Sequence, residues 1–408
     1  MSLGALTREW EEELIDGEDR WHWSRKMFHL AASFMGSLSL QMDIETVQAN
    51  VIMAKICQNE LNPHLAYMYL GMAVRLSLAA GHNRQSAGEV SATPSPEDNS
   101  ISRTWWGIYS VEVEMSFALG RADSLGADIY HNRPLPPILD SEIAILTPMV
   151  EFARIVRTIS ASMYTPSTSI DRRLELAAEI EQKMDEWLQT LPEAIKPQLN
   201  GSFQNITMTR EPMWAKKQKH TLRFRYHNCM MVLYRPFLLY TNRKSAQGTN
   251  NNHRINRAVS KCVASARSTI QFMHHMYSTA SYFRTWWYNT TYTLYASAII
   301  LGYSSGVTTT NEKAELQGLI DMSIQVLHSM DEHVVARKAA SLVQHTWNSA
   351  QVLPNPADPK HNQNVAQVNH GIFDSLPIDD FFFDSRPGED FDFMAQMFPV
   401  DEHESLLV

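Results

Sequence analysis

Three cysteines in 408 residues, Cys57, Cys229 and Cys262, exclude most of what cysteine does in proteins. They lie far apart in sequence, so they form no disulfide framework and point to a reducing compartment. Nor can they supply the closely spaced thiolates of a structural zinc, whose four ligands must meet at one tetrahedral centre. Long hydrophobic runs are missing too. No apolar stretch approaches the roughly 18 residues of a membrane helix, and the acidic first 19 residues hold no signal-peptide core. These absences predict a soluble, intracellular chain with no membrane partner. Positive charge is in deficit, with 35 Lys and Arg against 44 Asp and Glu and a formal net charge of −9. That balance argues against an unaided grip on nucleic-acid phosphates.

Catalytic constellations are equally scarce. Neither Walker nor Rossmann glycine spacing occurs, and there is no HExxH. His274 and His275 are adjacent and cannot face one point from one helix face. His328 and His333 sit five apart, about 140° from each other around a helix. One pattern does match a catalytic motif. Gly302-Tyr303-Ser304-Ser305-Gly306 fits the nucleophile elbow, which needs a strand before the serine and a helix after it. Here residues 292–301 read as helix and 307–311 as a threonine-rich loop. Ser304 is therefore read as a helix end, and the chain is not expected to be an enzyme.

What the chain does contain is helix. Apolar residues recur at steps of three and four along Leu65, Tyr69, Met72, Leu76 and Ala80, with Gly81 as the stop. The same period runs through Leu176, Ile180, Met184, Trp187 and Leu191, ended by Pro192. It recurs at Ile255, Val259, Cys262, Ala266, Ile270, Met273 and Tyr277, and again at Leu316, Leu319, Met322, Val326 and Met330. Period-two alternation and fixed-spacing repeats are absent, so the expected fold class is all-α, a bundle-like body of packed amphipathic helices. Breaks are expected at 85–102, 134–140 and 241–252.

The organisation read from the sequence is an acidic segment over 1–24, a helical body over 25–348, a linker over 349–370 rich in Asn, Gln and Pro, and a tail over 371–408. In the tail, phenylalanines alternate with carboxylates. Phe381, Phe382 and Phe383 precede Asp384, and Phe391, Phe393, Met394 and Phe398 follow Glu389 and Asp390. Such a segment has too little apolar surface and too much like charge to fold alone. A solubilising tail would be poor in aromatics. Phe391, Met394 and Phe398 fall at i, i+3 and i+7, one face of an induced helix for a partner's groove. This is read as an activation segment that recruits transcriptional coactivators.

The densest pattern lies between Gln48 and Pro136. A helix carrying Gln48 is followed by Gly71, Ala73 and Arg75, then by Gly81 and Arg84. Arg103, Trp105 and Trp106 lead the next helix. Gly120 and Arg121 form a turn before Asp128-Ile129 and Pro134-Leu135-Pro136. The order resembles the middle homology region of the fungal binuclear zinc-cluster transcription factors. Ala122 stands where the family's turn usually has a proline. A later echo, Arg235-Pro236-Phe237, resembles the family's Arg-Pro-Phe helix end. On the residues alone, the two indoles anchor a helix by burying large area. Arg75, Arg84, Arg103 and Arg121 either form ion pairs of small individual value with carboxylates such as Glu112 and Glu114, or line a cavity for an effector.

The resemblance implies a nuclear regulator of a metabolic or biosynthetic gene set, paired as a homo- or heterodimer and answering to a small-molecule effector. It implies zinc only in an N-terminal cluster that these cysteines do not provide. DNA contact is then expected through a missing head or a partner. Two rival readings stand beside it: a helical adaptor that acts through a partner regulator, and an enzyme using Ser304.

Overall fold

Several helices of this chain begin where a side chain satisfies an orphan amide of the first turn. In the computed structural model, residues 1–6, 14, 16–38, 42–85, 95–137, 141–164, 168–199, 211–245, 253–283, 288–307, 309–330 and 334–351 are described. Among them are twelve α-helices and no strand: α1 (Ser2–Leu6), α2 (Arg20–Leu38), α3 (Ile44–Asn59), α4 (Pro63–Ala79), α5 (Pro96–Ala118), α6 (Leu146–Met163), α7 (Ile170–Thr190), α8 (Met213–Ser245), α9 (His253–Thr279), α10 (Tyr288–Ser304), α11 (Thr310–His328) and α12 (Val334–Gln351). The all-α architecture expected from periodicity is the observed one.

Caps explain the boundaries. The Asp43 carboxylate accepts from the Thr46 amide at 2.7 Å and starts α3. Asn62 does the same for α4, with Pro63 in the first turn, where a missing N–H costs nothing. At Gly81 the backbone turns left-handed, with φ +73°, and the His82 amide reaches back to the Ser77 carbonyl at 2.9 Å. This is the Schellman closure, for which glycine lacks the Cβ penalty. Gly120, with φ +61°, closes α5 the same way, and the Arg121 amide donates to Ser116 at 2.8 Å. The Gly120-Arg121 turn thus forms without the proline that Ala122 replaces.

Four sequence expectations are corrected. The polar break over 85–102 ends earlier, because Ser95 and Asp98 make a reciprocal capping box and α5 starts at Pro96. The break over 241–252 also starts late, since α8 runs on to Ser245. Arg235-Pro236 is therefore no helix end, because Pro236 lies inside the 33-residue α8. The buried face of α4 is also displaced from the predicted stripe. Ala66, Leu70, Ala73, Val74 and Ser77 face inward, while Met72 is exposed.

Packing follows the predicted stripes elsewhere. All seven residues named on α9 are buried. Helices α8 and α9 lie along each other, as do α3 and α4, and α5 packs on α6. One continuous apolar core runs from Leu6 to Trp347, and a smaller aromatic cluster gathers Phe224, Phe272, Phe283 and Met330.

Candidate functional site

Part of the predicted motif converges on one construction, the seat of Trp105 and Trp106 on α5. Both indoles are buried. The Trp105 ring lies 5.0 Å from the His131 ring, and the Trp106 indole N–H donates to the Pro134 carbonyl at 3.2 Å. Ser102 Oγ donates to the same carbonyl at 2.8 Å. The proline pair after Asp128-Ile129 thus presents an acceptor to the indole helix. Asn83, just beyond the Gly81 stop, donates to the Tyr130 carbonyl at 2.9 Å and lies 3.3 Å from His131 Nδ1. Burial pushes the His131 imidazole below its ordinary pKa.

Two arginines clamp this seat, and neither belongs to the predicted set. Arg133 donates from Nε to the His82 carbonyl at 2.5 Å and from Nη2 to the Arg84 carbonyl at 2.8 Å. It joins the loop after α4 to the loop before Pro134. Arg157 on α6 grips Asp123 through Nε (2.9 Å) and Nη2 (3.0 Å), Asp128 through Nη1 (2.5 Å) and the Gly126 carbonyl through Nη2 (2.5 Å). Tyr109 donates to Asp128 at 2.7 Å from the indole helix itself. Such bidentate charge-assisted bonds fix geometry as well as energy. The loop over 120–136 is therefore held rigid against α5 and α6.

The predicted residues divide into those inside this construction and those outside it. Gln48 donates to Thr104 Oγ1 at 3.0 Å and ties α3 to α5. Ala73 is fully buried, and its small size lets α4 approach its neighbours. Gly81 and Gly120 are helix closures. Gly71 sits in the middle of α4, where an added Cβ would meet nothing within 4 Å. Arg75, Arg84, Arg103 and Arg121 are all exposed. Arg121 lies over the Tyr67 ring at 5.0 Å.

The expected pairing of these four with Glu112 and Glu114 is replaced by other contacts. Glu112 accepts from the Ser124 amide and hydroxyl at 2.9 and 2.7 Å. Glu114 holds Arg225 of α8 through a two-pronged bridge of 2.5 and 2.9 Å, with the Tyr288 ring 5.2 Å from that guanidinium. Despite the cost of burial, the Glu114 charge raises the Arg225 pKa well above its ordinary value. Arg235 lies 5.7 Å from the Tyr295 ring.

The cysteines do not suit a zinc ion. Cys57, Cys229 and Cys262 stand on α3, α8 and α9, all buried. Burial pushes the Cys57 thiol up to about 12 and the other two higher, which keeps them protonated, whereas zinc needs thiolates. Among the described residues no three His, Cys, Asp or Glu side chains gather as a metal site. A cavity between α2, α3 and α4, lined by Arg25, Phe28, Cys57 and Glu60, measures about 10 Å³. That is room for one water, and no metabolite fits it. Ser304 is the last residue of α10, approached by helix as expected, and its hydroxyl donates to the Leu301 carbonyl at 2.7 Å. Among the described residues no helix is long and apolar enough to cross a membrane. The residues of the acidic tail, from Phe381 to Phe398, lie outside the described ones.

Fold and site together define a helical scaffold with a structural clasp around two indoles. Residues 19–196, which include that clasp, match the fungal specific transcription factor domain. Over those residues the chain is similar to fungal transcription factors that carry this domain. Activator of stress genes protein 1 of Candida albicans is 23% identical over 68% of this chain and 31% of its own length. Activator of stress genes 1 of Saccharomyces cerevisiae is 23% identical over 68% of this chain and 29% of its own. An uncharacterized transcriptional regulatory protein of Schizosaccharomyces pombe is 22% identical over 61% of this chain and 31% of its own. The chain thus spans about 30% of the length of these relatives. These relatives are named as regulators. No solved structure matches the chain. The Arg235-Pro236 echo and helices α8 to α12 fall outside residues 19–196.

Proposed function

We propose that this chain acts in transcription regulation as the effector body of a fungal regulator, governing a metabolic or biosynthetic gene set in the nucleus. The observation that carries this reading is the clasp. Gln48 ties α3 to the indole helix, and Gly81 and Gly120 open the two loops that enclose Trp105 and Trp106, all within the matched domain. The tail supplies output in this reading. Its phenylalanines among carboxylates suit a coactivator groove, which would take them as a helix folded on contact. Control by a small-molecule effector, and pairing with a second copy or a related regulator, belong to the same reading on the family resemblance. DNA contact is assigned to a zinc-cluster head or to a partner.

The test fuses residues 370–408 to a heterologous DNA-binding domain ahead of a reporter. The expected result is activation that falls when Phe391→Ala and Phe398→Ala are combined. No output, or output indifferent to those changes, removes the activation role. A gel-shift assay of the chain by itself separates the adaptor alternative, which specific DNA binding by this chain would defeat.

A further inference from the structure

We propose that Ser95 is a phosphorylation site for a proline-directed Ser/Thr kinase, and that Arg133 receives the phosphate and thereby couples the modification to the indole clasp. Kinases of this class require proline directly after the hydroxyl residue. At that place any other residue presents an N–H with no acceptor, while proline has none to satisfy. Two Ser/Thr-Pro pairs lie among the described residues, Ser95-Pro96 and Thr147-Pro148. Thr147 is buried in the first turn of α6, and its hydroxyl donates to the Pro136 carbonyl at 3.0 Å. Ser95, Pro96 and Glu97 are all exposed. The Ser95 backbone is extended, with φ −65° and ψ 161°, and Pro96 opens the helix behind it. The hydroxyl therefore lies at the surface, where it caps α5 through Asp98.

In the transfer, Ser95 Oγ bonds to the γ-phosphorus of ATP while the bond from that phosphorus to the β–γ bridging oxygen breaks. ADP leaves, and the hydroxyl proton passes to the kinase's catalytic carboxylate and on to water. The phosphoester has lost the hydrogen that Ser95 Oγ now donates to Asp98 Oδ2 at 2.7 Å. Its dianion repels that carboxylate and keeps the helix amides as donors, since negative charge suits a helix N-terminus. Asp98 Oδ1 is 3.9 Å from Arg133 Nη1. With Asp98 turned away, Arg133 is the guanidinium for the phosphate. Arg133 also holds the carbonyls of His82 and Arg84. A charge placed on Ser95 is thus passed to the loop that follows Gly81 and to the stretch of chain that seats Trp105 and Trp106.

The full chain is incubated with a mitogen-activated protein kinase and MgATP, and the added mass of about 80 Da is located by fragmentation. Phosphate on Ser95 is expected, with the rate falling by about tenfold or more in Pro96→Ala. That variant keeps Ser95 and its cap, so the helix start survives. Phosphate confined to Thr93 or Thr165, no incorporation, or an equal rate in Pro96→Ala overturns the site. The link to Arg133 is read by phosphorus NMR titration of the modified chain. The second phosphate pKa is expected below its ordinary value of about 6, rising in Arg133→Ala. An unchanged value in that variant overturns the coupling.

Discussion

Tyr164 at the end of α6 donates its hydroxyl to the Val232 carbonyl of α8 at 2.7 Å. Val232 is four residues before Pro236, so its carbonyl is the one that the proline, lacking an N–H, leaves without a helical donor. A phenol from another helix supplies what the backbone cannot, and α8 continues for two more turns instead of stopping. Tyr164→Phe should lower stability by about 1 kcal/mol. In a Pro236→Ala background the new backbone amide at that position can serve Val232, and the same change should cost less. Denaturant titration of the four proteins in this cycle checks it. Equal costs in both backgrounds would show that the two residues are not linked.

The glycines of the motif should respond in opposite directions. Gly71→Ala places a methyl in open space within a helix, and about 0.5–1 kcal/mol of added stability is expected. Gly81→Ala forces an L-residue to φ +73°, and a loss of about 1 kcal/mol or more is expected. Urea midpoints at unchanged slope report both. A destabilised Gly71→Ala would mean that α4 meets a closer neighbour than the fold shows.

The bridge between Glu114 and Arg225 joins the matched domain to the helices beyond it. The Arg225 side chain is 10% exposed and that of Glu114 23%. Arg225→Met strands a half-buried carboxylate, with an expected loss of about 3 kcal/mol. Adding Glu114→Leu should return part of that loss, since a paired apolar replacement leaves no charge behind. Simple additivity in thermal or chemical unfolding would contradict the pairing.

Stability should fall as the medium becomes acidic. Burial, and then the charge of Arg223, depress His220 to about 4 and His227 to about 3. His220 is hydrogen-bonded to Tyr282, and His227 to Ser268. The unfolded chain binds these protons near pH 6.5 and the folded chain does not. The contribution is therefore complete above pH 6.5 and is lost progressively from there down through pH 4 toward 3. Each histidine adds at most about 1.4 kcal/mol per pH unit to that slope. His227→Gln should flatten the curve measured between about pH 6.5 and 4.5. A variant as steep as the parent would place the titration elsewhere.

Much of the helical plan is legible residue by residue. On α9, Ile255 to Tyr277 form a stripe with polar residues between them, and all seven named positions are buried. On α4, apolar side chains nearly encircle the helix, so period alone does not separate Leu65, Tyr69 and Met72 from the buried Ala66, Leu70 and Ala73. The Ser95–Asp98 capping box is a local signal, but it sits beside Pro94 and Pro96, which read equally well as loop. Proline in a first turn is also a helix start. The candidate site is visible in its tryptophans and glycines and invisible in its clamps. Arg157 lies 34 residues from Asp123 and 29 from Asp128, on a helix that no motif marks.

By itself the sequence determined the class of fold, the helix stops at Gly81 and Gly120, the burial of the twin indoles and the acidic aromatic character of the tail. Each of these is set by neighbours within a turn or two, through period, cap or composition. Tertiary structure alone decided which cation meets which carboxylate, where α8 passes its proline, and which face of α4 is hidden. Those choices depend on groups brought together from distant parts of the chain, and a charged or amphipathic side chain carries no local mark of the partner it will find.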